Sequence, residues 1–404
     1  MADQAGSAPV EGEIQTVYRQ RFTVEFGYDV HFTENALDPA NPVLLNAVRR
    51  LEPDARHRIA AFVDSGVAEA MPDLPRLLQD YCNTHGKHLD LVAPAETVPG
   101  GEPAKNDPAV AERVLGRLKD LGIDRHAFVL AIGGGAMLDA VGYAAATAHR
   151  GVRLLRMPTT VLAQNDSGIG VKTGINAFGV KNMVGVFAPP FAVINDARFL
   201  DSLEPRDRVS GMAEAVKVAL IRDAGFFVWL ERHAEDLAAF RRPAVAEMIR
   251  RCAELHMRQI AQGGDPFETG SARPLDYGHW SAHKLEGLSG YALRHGEAVA
   301  IGIALDTRYS VLAGMLAEGE DERVCRVLER LGFKLWDDTL TARAADGEPA
   351  VLRGLQEFRE HLGGELTVTL LAGIGRGQEV HTMDAQRVRA AIDWLAQRNR
   401  RQCS

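Results

Sequence analysis

Cysteine is scarce: Cys82, Cys252, Cys325 and Cys403 are the only four in 404 residues, and none falls in a CxxC spacing. That excludes a disulfide framework and a zinc–thiolate module, and it fits reduced thiols in a cytoplasmic protein. No apolar run approaches the ~18 residues that a membrane span needs, so no membrane partner is expected. A basic surplus is also missing, with 46 Lys and Arg against 54 Asp and Glu and a net charge of −8. A nucleic-acid surface is therefore not expected, and an anionic small molecule would have to be held by local cations. Internal repeats and low-complexity linkers are absent. Residues 1–14 are small, polar and acidic, without the basic and then apolar order of a signal peptide, and read as a flexible tail.

What is present is a hydrophobic fraction of 46% in a chain too long for one ordinary core, so two domains are expected. In the first, over 15–202, apolar runs alternate with helical patterns. Val17–Phe32 alternates as strands do, and Arg58–Asp64, Leu89–Ala93, Phe128–Ile132, Val152–Met157 and Phe191–Asn195 read as buried parallel strands. Pro42–Leu51, Pro75–His85, Ala109–Leu121 and Met137–Ala148 read as helices, and Pro94–Asp107 as a loop. The expectation is an α/β domain with a Rossmann-like, doubly wound parallel sheet. Over 203–404 the pattern turns mainly α-helical, with helices over Pro205–Arg222, Ala224–Ala239, Arg242–Gly263, Tyr277–Leu288, Glu297–Gly314, Glu320–Leu331 and Asp384–Arg398, and one strand at Glu365–Leu371.

Gly133, Gly134 and Gly135 separate a strand from a small-residue helix, which is the grammar of a pyrophosphate site at a helix N-terminus. Asp166, Lys172, Lys181 and Asn182 follow in a glycine-rich polar stretch, where a phosphorylated, hydroxylated ligand has a use for each and a folding core has little. In the helical half, Glu214 in SGMAEAVK, His279 in YGHW and His295 in RHGE offer one carboxylate and two imidazoles, enough for a tetrahedral zinc with one open position. Taken singly, each has a bland alternative: a tight turn, a solvated Glu, a loop His.

Taken in order, these motifs resemble the sugar-phosphate cyclases, the superfamily of 3-dehydroquinate synthase, over roughly Asp64 to Gly375. The resemblance implies that GGGxxxD (Gly133, Gly134, Gly135, Asp139) binds NAD, with Thr159 and Thr160 of the Pro-Thr-Thr turn, Glu102 and Lys105 of a GExxK loop, Asp64 at a strand end, and Phe199 and Ser202 as further cofactor contacts. Lys181 would contact the cofactor, and Asp166 and Lys172 would serve both cofactor and substrate. Glu214, His279 and His295 would hold zinc, or cobalt in its place. Lys172, Asn182 and Arg150 would hold the phosphate, Arg150 reaching into the partner's site of a homodimer, while Asp166 and Lys217 orient hydroxyls and His283 completes GHxxxH. Such an enzyme oxidises a ring hydroxyl of a seven-carbon sugar phosphate with NAD, loses phosphate by β-elimination, recovers its hydride, and closes the carbocycle by an aldol reaction.

Departures from the pattern bear on the substrate. The carboxylated heptulosonate phosphate of 3-dehydroquinate synthase is bound by an Arg seven residues before the first zinc His and a Lys twenty-one before it, and here those places hold Ala272 and Arg258. Arg273 is one residue late. Asp276 stands where that enzyme has Asn, and it would repel a carboxylate unless it merely caps the helix at His279. EFREHLGG, with His361, replaces the C-terminal phosphate-binding Lys. Asp276 and EFREHLGG resemble cyclases of sedoheptulose 7-phosphate such as 2-epi-5-epi-valiolone synthase, whereas His283 resembles 3-dehydroquinate synthase. A neutral heptulose phosphate is therefore the favoured substrate. The alternatives are the carboxylated one, an NAD- and metal-dependent polyol dehydrogenase, and a binding protein that has lost catalysis.

Overall fold

A computed structural model describes residues 18–178, 180–267, 275–361 and 364–402. The 1–14 tail, Ala272 and Arg273 lie outside the described residues. The first half is built on a parallel sheet of seven strands: β1 (Asp29–Thr33), β2 (His57–Asp64), β3 (Leu89–Leu91), β4 (Glu96–Val98), β5 (Phe128–Gly133), β6 (Arg153–Pro158) and β9 (Ala192–Asp196). Their order is β1-β9-β6-β5-β2-β3, with β4 also on β2. The sheet is covered on both faces, which explains its unbroken apolar strands. Along β5, Phe128, Leu130 and Ile132 enter one apolar cluster and Val129 and Ala131 the other. β3 and β4 lie to one side of β2, and β5, β6 and β9 to the other. The strand order thus reverses between β2 and β5, which makes their carboxyl ends the switch point where open α/β sheets take ligands. Asp64 ends β2 and Gly133 ends β5.

Two expectations in this half are corrected, and one hairpin lies where none was expected. Only Asp29–Thr33 of the region over 17–32 is a strand, and residues 18–28 run outside any ladder. The loop over 94–107 contains β4 and a short helix, α1 (Pro103–Asn106). The glycine-rich stretch after Asp166 is an antiparallel hairpin, β7 (Lys172–Ala177) with β8 (Val180–Phe187). Its glycines are a cross-strand contact: Gly174 pairs with Gly185, and a Cβ on Gly174 would stand 2.8 Å from the Val184 carbonyl oxygen.

The second half is helical apart from the hairpin β10 (Val368–Gly373) and β11 (Arg376–Val380). The helices that shape the site are α3 (Met212–Arg222), α4 (Arg242–Gln262), α5 (His279–Leu288) and α6 (His295–Leu312); α2 is Gly135–Thr147 of the first half. The expected helix over 205–222 is interrupted at Gly211. There a Cβ would lie 2.3 Å from the Leu162 nitrogen, and the Gly211 carbonyl accepts from Asn165 Nδ2 at 2.9 Å. The helix expected over 224–239 likewise breaks at His233. α6 forms the buried axis of this half, with residues from Ala298 to Ile303 all buried.

Gly302 on α6 lets the turn before α5 approach closely: a Cβ there would stand 2.0 Å from the Gly278 carbonyl oxygen. Gly302→Ala should therefore cost about 1–3 kcal/mol through overpacking. In thermal unfolding this reads as a midpoint lowered by several degrees, and an unchanged midpoint would contradict the packing described.

Candidate active site

The carboxyl ends of β2, β5 and β6 gather the first set of residues. Asp64 accepts from Gly66 N at 2.8 Å and so caps the helix that follows β2, and Thr159 N donates to Gly133 O at 3.0 Å. None of Gly133, Gly134 and Gly135 has a positive φ, so proximity and not handedness demands them. A Cβ on Gly133 would meet Asp64 Cβ at 2.9 Å, and one on Gly135 would meet Ser167 Oγ at 2.4 Å. Gly134 differs, because its Cβ would meet only Thr160 Cγ2, at 3.4 Å. Gly134 is the N-cap of α2 and offers no side-chain cap, so the first N–H groups of α2 remain available to an anion. That geometry fits a pyrophosphate.

Lys105, on α1, is buried and donates to Asp139 Oδ2 at 2.7 Å and to Asn182 Oδ1. Asn182 has a positive φ of 53°, and its N–H donates to Asn176 Oδ1 at 2.8 Å. Asn176 in turn donates to Glu102 Oε1 at 2.8 Å. Lys181 lies 3.8 Å from Glu102 and 3.1 Å from Glu286 of α5, which carries the polar path across to the helical half.

There the metal-ligating candidates converge. Glu214, on α3, is 1% exposed, and its Oε1 lies 3.6 Å from both His279 Nε2 and His295 Nε2. His279 Nδ1 is 3.0 Å from the Tyr277 carbonyl, which fixes the proton on Nδ1 and turns the Nε2 lone pair toward Glu214. Burial, then Lys217, push the His279 pKa down to about 4, so the ring is neutral. A lone pair facing a carboxylate oxygen that has no hydrogen-bond partner is repulsive unless a cation lies between them. The three ligand atoms lie within 4.8 Å of one another, and the donor set is one that zinc or cobalt accepts. The residues fit the ion.

Lys217 pairs with Glu214 Oε2 from the next turn of α3. Burial works against the Lys217 charge, but Glu214 and Asp166 outweigh it and raise its pKa. Glu214 is held well below the usual carboxylate range because Lys217, and then His295, overcome its burial.

Glu286 is a candidate site residue that the sequence motifs did not single out. Its Oε1 lies 3.3 Å from His295 Nδ1, the position of an outer carboxylate that orients a metal-binding imidazole. Burial raises its pKa, but His295 and Lys181 outweigh that and bring it to about 2. The signal was available: His279, His283 and Glu286 follow at i, i+4 and i+7 of α5, one face of a helix. His283 is exposed, its ring 5.4 Å from that of His279. A second acidic–imidazole group, His283, Glu286 and His295, is also close enough for an ion. It is the weaker site, because Lys181 already neutralises Glu286 and His283 stands open.

Asp166 lies on a π-helical turn, Ala163–Ser167, packed against α4. The α4 residue that meets it is His256, whose Nδ1 is 3.0 Å from Asp166 Oδ1. Arg258 is corrected: it is exposed, two residues and about 200° around the helix from His256, off the site. Asp276 does not cap α5 with its side chain, whose N-cap is Gly278; its carboxylate field reaches Lys217 and His283. Lys172 is exposed at the start of β7, and its carbonyl accepts from Arg156 at 3.2 Å. Phe199 is buried in the core and Ser202 donates to its carbonyl at 2.8 Å, contacts that account for both without a ligand. Arg150 is corrected within one chain. It follows α2 and precedes β6, at the amino end of that strand, opposite the end where Pro158 meets Gly133.

A family model of the 3-dehydroquinate synthase N-terminal region matches residues 95–210, and one of its C-terminal region matches 211–347. The chain is 34% identical over 378 residues to a 2-epi-5-epi-valiolone synthase of Streptomyces glaucescens, covering 92% of each. It is 36% identical over 326 residues to a 3-dehydroquinate synthase of Cereibacter sphaeroides, covering 78% of this chain and 87% of that one. Among solved structures, a 2-epi-5-epi-valiolone synthase of Streptomyces hygroscopicus with NAD+ and Zn2+ bound superposes with a TM-score of 0.82 at 30% identity, covering 94% of this chain and 100% of that one. A probable glycerol dehydrogenase of Sinorhizobium meliloti, at 18% identity and a TM-score of 0.60 over 92% of this chain and 97% of that one, shares the fold alone.

The two candidate ion groups are separable. Glu214→Ala should lower zinc, measured by elemental analysis of dialysed protein, from about one per chain to near none. His283→Ala should leave it unchanged. Retention of zinc by Glu214→Ala, or its loss in His283→Ala, would contradict the assignment.

Proposed function

Because the chain belongs to the 3-dehydroquinate synthase family, whose members are phosphate-eliminating cyclases, we propose that it closes a seven-carbon ketose phosphate, sedoheptulose 7-phosphate, into a carbocycle with loss of inorganic phosphate. The observation that carries this is the convergence of groups: Glu214 faces two imidazole nitrogens on the helical wall, and Lys181 joins that wall to the cluster around the glycine turn. NAD bound at Gly133–Gly135 would lend and recover one hydride, and zinc at Glu214, His279 and His295 would polarise a substrate oxygen.

The chain's own residues do the rest. Lys217 stays charged beside the ion site and donates to substrate oxygens. Asp166 accepts from hydroxyls. Lys172, Lys181 and Asn182 hold the phosphate, and Asn182 is presented by its strained positive φ. The cofactor side is held together by the buried pair of Lys105 and Asp139. A neutral substrate is favoured because α4 turns an imidazole, not the Arg258 guanidinium, toward Asp166, while Asp276 adds a second negative charge. The carboxylated heptulosonate phosphate is the second reading, since the family includes enzymes of that substrate. We take the active form to be a cytoplasmic homodimer. Arg150, at the far end of β6, can serve a site only in a second copy.

Two measurements test this. With sedoheptulose 7-phosphate the holoenzyme should release phosphate while NADH absorbance stays flat. Steady NADH accumulation without phosphate would make it a polyol dehydrogenase, and release from the carboxylated sugar alone would establish the second reading. Gly134→Val should weaken NAD binding at least about tenfold by filling the space beside the helix N-terminus. Because a Cβ there is tolerated, the fold should persist; unchanged NAD affinity in calorimetry would contradict the role of the turn.

A further inference from the structure

His256 belongs to no motif of the chain, yet it is the α4 side chain that meets Asp166. Its side chain is 15% exposed, and Nδ1 is a buried polar atom with no aligned hydrogen bond, its near neighbour being Asp166 Oδ1 at 3.0 Å. Its Cε1 would be 3.8 Å from a Cβ on Gly170, so the ring also abuts the loop that leads to Lys172. The titratable groups around Asp166 come from two helices: His256 from α4, and Glu214 and Lys217 from α3. Glu214 repels the Asp166 carboxylate, and Lys217 is already committed to Glu214. His256 is then the partner that can fix which way Asp166 points.

We propose that His256 is a positioning residue: it engages Oδ1 of Asp166 and leaves Oδ2 directed at substrate hydroxyls. The proposal rests on the cyclase reading for its kinetic consequence. Burial raises the Asp166 pKa, and His256 and Lys217 together outweigh that, so the carboxyl stays ionised and acts as an acceptor. A hydroxyl-reading carboxylate that swings between His256, Lys217 and water would orient the sugar in only a fraction of encounters, and the loss would appear in turnover.

The test compares His256→Ala and His256→Asn as holoenzymes with NAD and zinc, measuring phosphate release from sedoheptulose 7-phosphate. Losing a charge-assisted hydrogen bond corresponds to about tenfold to hundredfold in kcat. His256→Ala should show that loss with zinc content, NAD affinity and melting temperature unchanged. His256→Asn, whose amide keeps a donor near the place of Nδ1, should recover to within about fivefold. Asp166→Asn combined with His256→Ala should be no slower than Asp166→Asn alone, as expected when one residue acts through the other. A kcat for His256→Ala within twofold of the parent, or multiplicative losses in the double variant, would overturn the proposal. If the parent releases no phosphate from any heptulose phosphate, the cyclase reading fails. The positioning claim is then decided by the crystal structure of His256→Asn and His256→Ala: Asp166 held in the first and rotated in the second supports it, and Asp166 unmoved in both refutes it.

Discussion

A buried carboxylate organises this protein. Glu214 is almost wholly removed from water, and a lone ionised carboxylate in such a place costs several kcal/mol. It is kept charged by Lys217 one turn further along α3, and the imidazoles of His279 and His295 stand beside it. Those imidazoles have to arrive from α5 and α6 at fixed angles, and the scaffold is shaped to deliver them. Gly278 takes a φ of +78° just before His279, its N–H donates to Asp306 Oδ2 at 3.1 Å, and the Trp280 indole donates to Asp306 Oδ1 at 2.8 Å. The turn that aims the first imidazole is thereby pinned to the buried axis of the helical half. Glu286 aims the second.

The two walls of the cleft are joined by polar contacts, not merely placed face to face. Lys181 reaches Glu286, His256 reaches Asp166, and Asn165 donates to the Gly211 carbonyl at the helix break. Each pairs a residue of the sheet half with one of the helical half. A change in charge on one wall is therefore felt on the other, as chemistry that moves both a hydride and a phosphate in one pocket would require. The π-helical turn that carries Asp166 belongs to the same design, since such turns recur where a side chain must be aimed at a ligand.

Much of this was legible in the sequence, for identifiable reasons. Sheet strands buried on both faces are continuous apolar runs, so β2, β5 and β6 could be read within a residue or two. The metal trio and the glycine turn were legible as ordered motifs, although their convergence was not. The β7–β8 hairpin was hidden because its glycines look like loop and act as a cross-strand contact. The break at Gly211 was hidden because a long-range bond from Asn165 causes it. The exchange of Arg258 for His256 has another source. Counting back from His279 fixes a sequence distance, whereas the site is met by a helix face, and two residues turn that face away. Glu286 lay in plain view on the α5 face.

The account depends on a nicotinamide and a metal ion meeting over one substrate, between Gly134 and Glu214. Crystals grown with NAD+ and zinc, with anomalous diffraction recorded at the zinc edge, test this most directly. The account predicts one zinc peak bounded by Glu214, His279 and His295, and a nucleotide whose pyrophosphate lies on the N-terminus of α2 with its nicotinamide in the same cavity. Zinc bound elsewhere, or a nucleotide whose nicotinamide lies outside that cavity, would contradict it.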